Sequence, residues 1–283
     1  MLPVDNKGFQ MMEFFQFMVW PFLACLVLAG IHCYLGLHVI ERQVIFVDLA
    51  LAQIAALGCA AALLAGFEHD GAYSYWLSLA FTVGGAGVFS ICRFRDQKIP
   101  QEAVIGIVYA VAASMMVMFL SRSSEGDEHI REALVGNILL VEPAEILKML
   151  IVYACVGAFH YVFREKFLLI SKKPEEAYAK GWNVRLWDFL FYASFGLVVT
   201  SSVRVAGVLL VFSLLVIPST VAMLFSNSIR TRLILGWGIG VTGSILGMML
   251  SYFGDFPTGA SVVCALAGLL VTTSLLKRLK RKL

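Results

Sequence analysis

The sequence predicts an all-α chain: a polytopic helical bundle integral to a membrane, with eight or nine transmembrane helices in a single transmembrane domain over 1–283. Three observations carry this. Of 283 residues, 60% are hydrophobic and only 14% are charged. Mean hydropathy is +0.84, outside the range of soluble domains. The apolar residues also fall into runs long enough to cross a hydrocarbon core of about 30 Å at about 1.5 Å per residue.

In chain order the runs are 14–38, 44–66, 73–92, 102–120, 144–163, 187–203, 205–226, 233–253 and 257–276. The first continues to Ile40 without a basic start or a small-residue cleavage site, so it is expected as a retained helix and not a signal peptide. Only Ser202, Val203 and Arg204 separate the sixth from the seventh. These two form either a tight helical hairpin, the reading favoured here and closed at Arg204, or one broken helix with a re-entrant piece. Small residues recur at three- and four-residue spacing in GCAAALLAG, VGGAG and GWGIGVTGSILG, as close helix approach in lipid requires. Cys25, Cys33, Cys59, Cys92, Cys155 and Cys264 form no CxxC pair and read as small buried hydrophobes.

The formal net charge of +3 is too small to point to a nucleic-acid partner, and the placement of basic residues is more informative. With nine alternating helices and the KRLKRKL tail inside, the inner segments carry Arg42, then Arg93, Arg95 and Lys98, the basic cluster of 164–186, and Arg230 with Arg232. The outer side and helix ends keep Lys7, Arg122, Arg131, Lys148 and Arg204. That asymmetry predicts the N-terminus outside and the C-terminus in the cytoplasm.

Two connections exceed what a turn needs. The outer one, Ser121 to Glu142, contains HIREALVGNILL and predicts a short interfacial helix. The inner one, Arg164 to Leu186, places Pro174 at a helix start, Glu175 and Glu176 in its first turn, Ala177 inside it and Gly181 at its stop. A rigid cytoplasmic helix of about two turns is a suitable part for docking another protein.

Within the membrane runs, Asp48 is the conspicuous group, because a carboxylate there costs about 2.5 kcal/mol or more on insertion scales. It reads either as a snorkelling or capping acid near Arg42 or as a group on a transport path. Gln53, deeper in the same helix, reads either as an interhelical hydrogen-bond partner or as a path-facing oxygen. The two lie about 140° apart around a regular helix, so sharing one ligand needs a distorted helix or a symmetry partner. His32 and His38 lie about 120° apart, which argues against a shared metal site, and Glu41 follows them. Glu68, His69 and Asp70 read as a solvated loop that collects cations at most, and His129 likewise. Pro218 bends its helix for packing or serves as a hinge. No G-x-x-x-x-G-K-[ST], HExxH or GxSxG motif occurs, so no enzyme is expected and ATP-driven work would need a partner chain.

Four stretches carry a resemblance: Leu51-Ala52-Gln53 followed by Leu57-Gly58; Val135-Gly136-Asn137-Ile138-Leu139; Gly207-Val208-Leu209-Leu210 running on to Leu215-Val216-Ile217-Pro218; and Asp255-Phe256-Pro257-Thr258-Gly259. In this order, from about residue 20 to the C-terminus, they resemble the permease subunits of ATP-binding-cassette transporters that import zinc, manganese or iron. The resemblance implies a multi-pass protein of the bacterial inner (plasma) membrane, held in lipid, paired with a second permease subunit that is either a copy or a paralogue. It implies a separate cytoplasmic ATPase that binds ATP, no cofactor on this chain, and an extracytoplasmic metal-binding protein. Pro174 to Gly181 would be the coupling helix, Pro218 a hinge for alternating access, and Asp48 with Gln53 transient metal ligands. The departure is chemical: the family's histidine falls on Gln53 and its aspartate on Leu49, with Asp48 one position earlier. An amide oxygen is a harder, weaker ligand for a transition ion than imidazole nitrogen. The rival readings are a secondary cation transporter coupled through Asp48 without an ATPase, and a membrane-embedded subunit that moves nothing.

Overall fold

The longest helix of the chain folds back on itself. The computed structural model describes residues 6–68, 71–93, 99–121 and 136–280. Its helices are α1 (Asn6–Glu41), α2 (Val47–Leu64), α3 (Ala72–Ile91), α4 (Gln101–Leu120), α5 (Pro143–Val162), α6 (Arg164–Lys172), α7 (Pro174–Ala179), α8 (Val184–Phe225), α9 (Ile229–Gly254) and α10 (Thr258–Lys280), with a 3-10 turn at Ile138–Leu140. Among the described residues, eight helices are long and apolar enough to cross a membrane.

At 42 residues, α8 would extend about 63 Å if straight. Both of its ends nevertheless attach to the end of α1, at Glu41 and the residue after it, Arg42. Asp188 meets Arg42 at 2.5 Å, while Arg232 bonds Glu41 at 2.5 Å and the carbonyl of Ser226, just past α8, at 2.7 Å. The reversal is at Gly207, whose φ of 73° and ψ of 160° are the only non-helical dihedrals inside α8. The eight helices thus supply nine apolar legs, and the expected hairpin is present. Its turn is not at Ser202 to Arg204, which stay helical; it falls where glycine supplies a backbone conformation closed to other residues. Arg204 therefore ends nothing, and its guanidinium lies 5.8 Å from the Tyr75 ring centroid.

Pro218 does not interrupt the second leg of α8, which runs on to Phe225. A Cβ on Gly240 of α9 would be 3.8 Å from the Pro218 ring, and one on Gly236 would be 3.5 Å from its carbonyl oxygen, so the proline packs into a glycine-lined groove. The small-residue stretches do the work expected of them. A Cβ on Gly58 of α2 would sit 2.7 Å from the Ser78 Cα of α3, and one on Gly247 of α9 would sit 2.3 Å from the Val262 Cα of α10.

Helix ends follow local chemistry. A capping box between Glu142 and Glu145 opens α5. Asn183 accepts the Leu186 N–H at 3.1 Å to open α8. The Asp255-to-Gly259 motif is the turn between α9 and α10, with Asp255 left-handed at φ 53° and Ser251 Oγ bonding Thr258 Oγ1 at 2.9 Å. The inner connection holds two helices where one was expected: α7 matches the predicted segment, and α6 precedes it. Of HIREALVGNILL, residues 129–135 lie outside the described residues, and its end is the 3-10 turn Ile138–Leu140.

Candidate transport elements

The interior of the bundle is organised around α2, which packs against α3, α4 and α8 of its own chain. Asp48 lies in its first turn, 2% exposed, where the partial positive charge of a helix start favours a carboxylate. Its Oδ1 accepts the Leu49 N–H at 2.8 Å. A second carboxylate arrives from the first turn of α4: Glu102 Oε1 accepts the Phe46 N–H at 3.0 Å, and its Oε2 is buried without a hydrogen-bond partner. Glu102 gave no signal in the sequence because a glutamate at a helix start reads as ordinary first-turn chemistry. Gln53 is 3% exposed, and its Oε1 is likewise buried without a partner. The amino end of α2 therefore carries two acids, with an unpaired amide oxygen about a turn and a half deeper on another face.

The histidines are committed elsewhere. His32 Nδ1 lies 2.8 Å from the Leu28 carbonyl and must donate to it. Its Nε2 lies 3.2 Å from Ser202 Oγ, which donates to the Val198 carbonyl at 2.6 Å, and Tyr153 OH approaches the same hydroxyl at 2.5 Å. His160, which the sequence did not flag, bonds Tyr34 OH at 3.2 Å and Ser194 Oγ at 2.8 Å. His38 Nδ1 bonds Ser171 Oγ at 2.8 Å. His32 and His38 thus belong to separate polar contacts, and no group of three or more His, Cys, Asp or Glu among the described residues could hold a metal ion. Glu68 is exposed; His69, Asp70 and His129 lie outside the described residues.

The end of the bundle that holds the basic residues is tied by buried charge. Asp188 is fully buried and receives Arg42 on one oxygen and Arg93 on the other. The Arg42 guanidinium also lies 4.0 Å from the Phe191 ring centroid. Three elements distant in sequence meet here: the end of α1, the segment after α3 and the start of α8.

Beside this triad is the predicted docking helix. Pro174 opens α7, and Gly181, at φ 73°, closes it: the Trp182 N–H reaches the Ala177 carbonyl at 3.1 Å and the Gly181 N–H reaches Tyr178 at 2.9 Å. Ala177 is fully buried against Ile170 of α6 and Val184 of α8. Glu175 and Glu176 are exposed, and Glu176 pairs with Lys173 at 2.5 Å. One face of α7 is thus fixed to the bundle while its acidic face is exposed.

Residues 14–277 match the ABC 3 transport family. The chain is 29% identical over 201 residues, 68% of itself and 70% of the relative, to the manganese transport system membrane protein MntC of Listeria innocua. It is 26% identical over 258 residues, 91% of itself and 92% of the relative, to a probable iron transport system membrane protein of Haemophilus influenzae. The fold is shared with PsaBC from Streptococcus pneumoniae, solved in complex with Fab, at a TM-score of 0.77 and 20% identity over 93% of this chain and 95% of that one. With an all-helical architecture of apolar legs and a family match across nearly its whole length, this multi-pass membrane protein belongs to the ABC 3 transport family.

Proposed function

We propose that the chain is the permease subunit of an ATP-binding-cassette importer for a divalent metal ion: zinc, manganese or iron. The family match over residues 14–277 carries this reading, and the relatives named for manganese and iron transport support the ion class. The chain works as a dimer with a copy or a paralogue, in a bacterial plasma membrane, with its N-terminus outside and its basic end in the cytoplasm. A separate ATPase binds and hydrolyses ATP and docks on α7, whose acidic face is exposed while Ala177 holds it to the bundle. An extracytoplasmic binding protein delivers the ion.

The ion is cargo and passes along α2. Asp48 offers a carboxylate oxygen and Gln53 an amide oxygen, with Glu102 at the cytoplasmic end. Two buried oxygens without partners, on Gln53 and Glu102, support this, since unpaired buried acceptors are unusual and a passing cation suits them. Because α2 is enclosed by its own chain, alternating access must part α2 from its neighbours, and the Gly207 turn and Pro218 are where α8 can yield. Weak oxygen ligation suits an importer, which must release what it binds. The test is uptake in proteoliposomes holding the permease with its ATPase and binding protein, titrated with zinc, manganese and iron. ATP-dependent accumulation of one of them is expected; uptake that ignores ATP would instead favour a secondary transporter coupled through Asp48.

A further inference from the structure

The hydroxyl of Ser171 is the point at which the docking segment is attached to the charged end of the bundle. Ser171 lies on α6, three residues before Pro174, and is buried. It donates its one proton to the Phe167 carbonyl at 2.8 Å. Its lone pairs then receive Arg42 Nε–H at 2.8 Å and His38 Nδ1–H at 2.8 Å, from just past α1 and from its last turn. Arg42 continues through Nη1 to Asp188 at the start of α8, and Asp188 binds Arg93 after α3.

Two features make this attachment a lever rather than a static brace. First, α6 and α7 form one rigid piece: the Lys173 N–H bonds the Leu169 carbonyl at 2.7 Å across their junction, and Ile170 packs on Ala177 in a small cluster separate from the main core. Apolar contacts allow such a piece to slide, whereas a charge-assisted hydrogen bond fixes its register. Second, the network holds spare capacity. Arg42 Nη2 and His38 Nε2 are buried with no partner, so the guanidinium holds an unused donor and the imidazole an unused acceptor, each able to form one further bond when α6 shifts.

We propose that Ser171 is the positioning residue through which movement of α7 is passed to α1 and α8, with Arg42 as the link and Asp188 as its buried anchor. This rests on the permease reading above. The test compares wild type, Ser171→Ala and Ser171→Thr, each assembled with its ATPase and binding protein in proteoliposomes, measuring metal uptake and ATP hydrolysis in the same vesicles. Ser171→Ala is expected to keep hydrolysing ATP while ions imported per ATP fall about fivefold or more. Ser171→Thr, which keeps the hydroxyl, restores most of the ratio. An unchanged ratio in Ser171→Ala, or an equal loss in both variants, overturns the proposal while leaving the permease reading intact. A wild-type complex that imports no metal with ATP overturns the permease reading itself. Should Ser171→Ala fail to assemble, Arg42→Lys decides: it keeps a charge for Asp188 but has no Nε–H for Ser171, and an unchanged ratio there counts against the lever.

Discussion

Gly136 lies directly against Gly207: a Cβ built on Gly136 would be 2.2 Å from the Gly207 amide nitrogen. Two of the stretches that carried the family resemblance, one in the outer connection and one in α8, therefore meet at a single point. Both glycines have positive φ, 65° and 73°, so backbone conformation requires each of them, and at Gly136 the contact with Gly207 requires it a second time.

Gly136→Ala and Gly207→Ala should each destabilise the protein, with backbone strain alone costing about 1–3 kcal/mol. Thermal unfolding of the purified protein in detergent reads this out. A wild-type midpoint for both variants would mean that the α8 reversal is not built on these residues.

Asp188→Asn leaves two guanidiniums facing a neutral amide in a buried site. Breaking a buried pair by removing one partner costs about 3–5 kcal/mol. The variant should therefore unfold at markedly lower temperature, with little dependence on salt because the pair is shielded from solvent. A midpoint within a degree or two of wild type would place the charges in contact with water.

Charge reversal on α7, the proposed docking helix, should separate folding from function. Glu175→Lys with Glu176→Lys alters exposed side chains and should change stability by no more than about 0.5 kcal/mol. Co-purification with the ATPase should fall sharply. Ala177→Glu differs, because it forces a carboxylate into the contact with Ile170 and Val184, and it should unseat α7 itself, seen as new protease sensitivity between 164 and 186.

Gln53→His returns an imidazole to the position where the resembled permeases carry one. Uptake of zinc relative to manganese should rise, since nitrogen favours the later transition ion. Asp48→Asn should reduce uptake of every divalent ion. Competition among the ions for uptake in proteoliposomes measures both, and an unchanged preference in Gln53→His would remove Gln53 from the path.

Much of the fold was legible because helix length in a membrane is set by hydrocarbon thickness, and apolar runs record it. The turn of α8 was misplaced by a few residues: Arg204 is the only charge between Asp188 and the end of the helix and drew the boundary, while Gly207 determines it through backbone geometry that no hydropathy pattern carries. The short helix α7 could be read from Pro174 and Gly181, which punctuate the chain by covalent structure alone. The polar interior was not legible. Ser171, Asp188 and His160 have ordinary neighbours in sequence, and their roles arise only when α1, α5, α6 and α8 come together. Asp48 stood out as a lone charge, but Glu102, its companion at the amino end of α2, was concealed as a helix-start acid.

ATP-driven metal uptake in proteoliposomes, with the permease, its ATPase and its binding protein all present, tests the central claim most directly. Accumulation of zinc, manganese or iron that requires ATP hydrolysis and is lost with Asp48→Asn is the predicted result. Accumulation that proceeds without ATP, or no accumulation of any of the three ions by an assembled and hydrolysing complex, would contradict it.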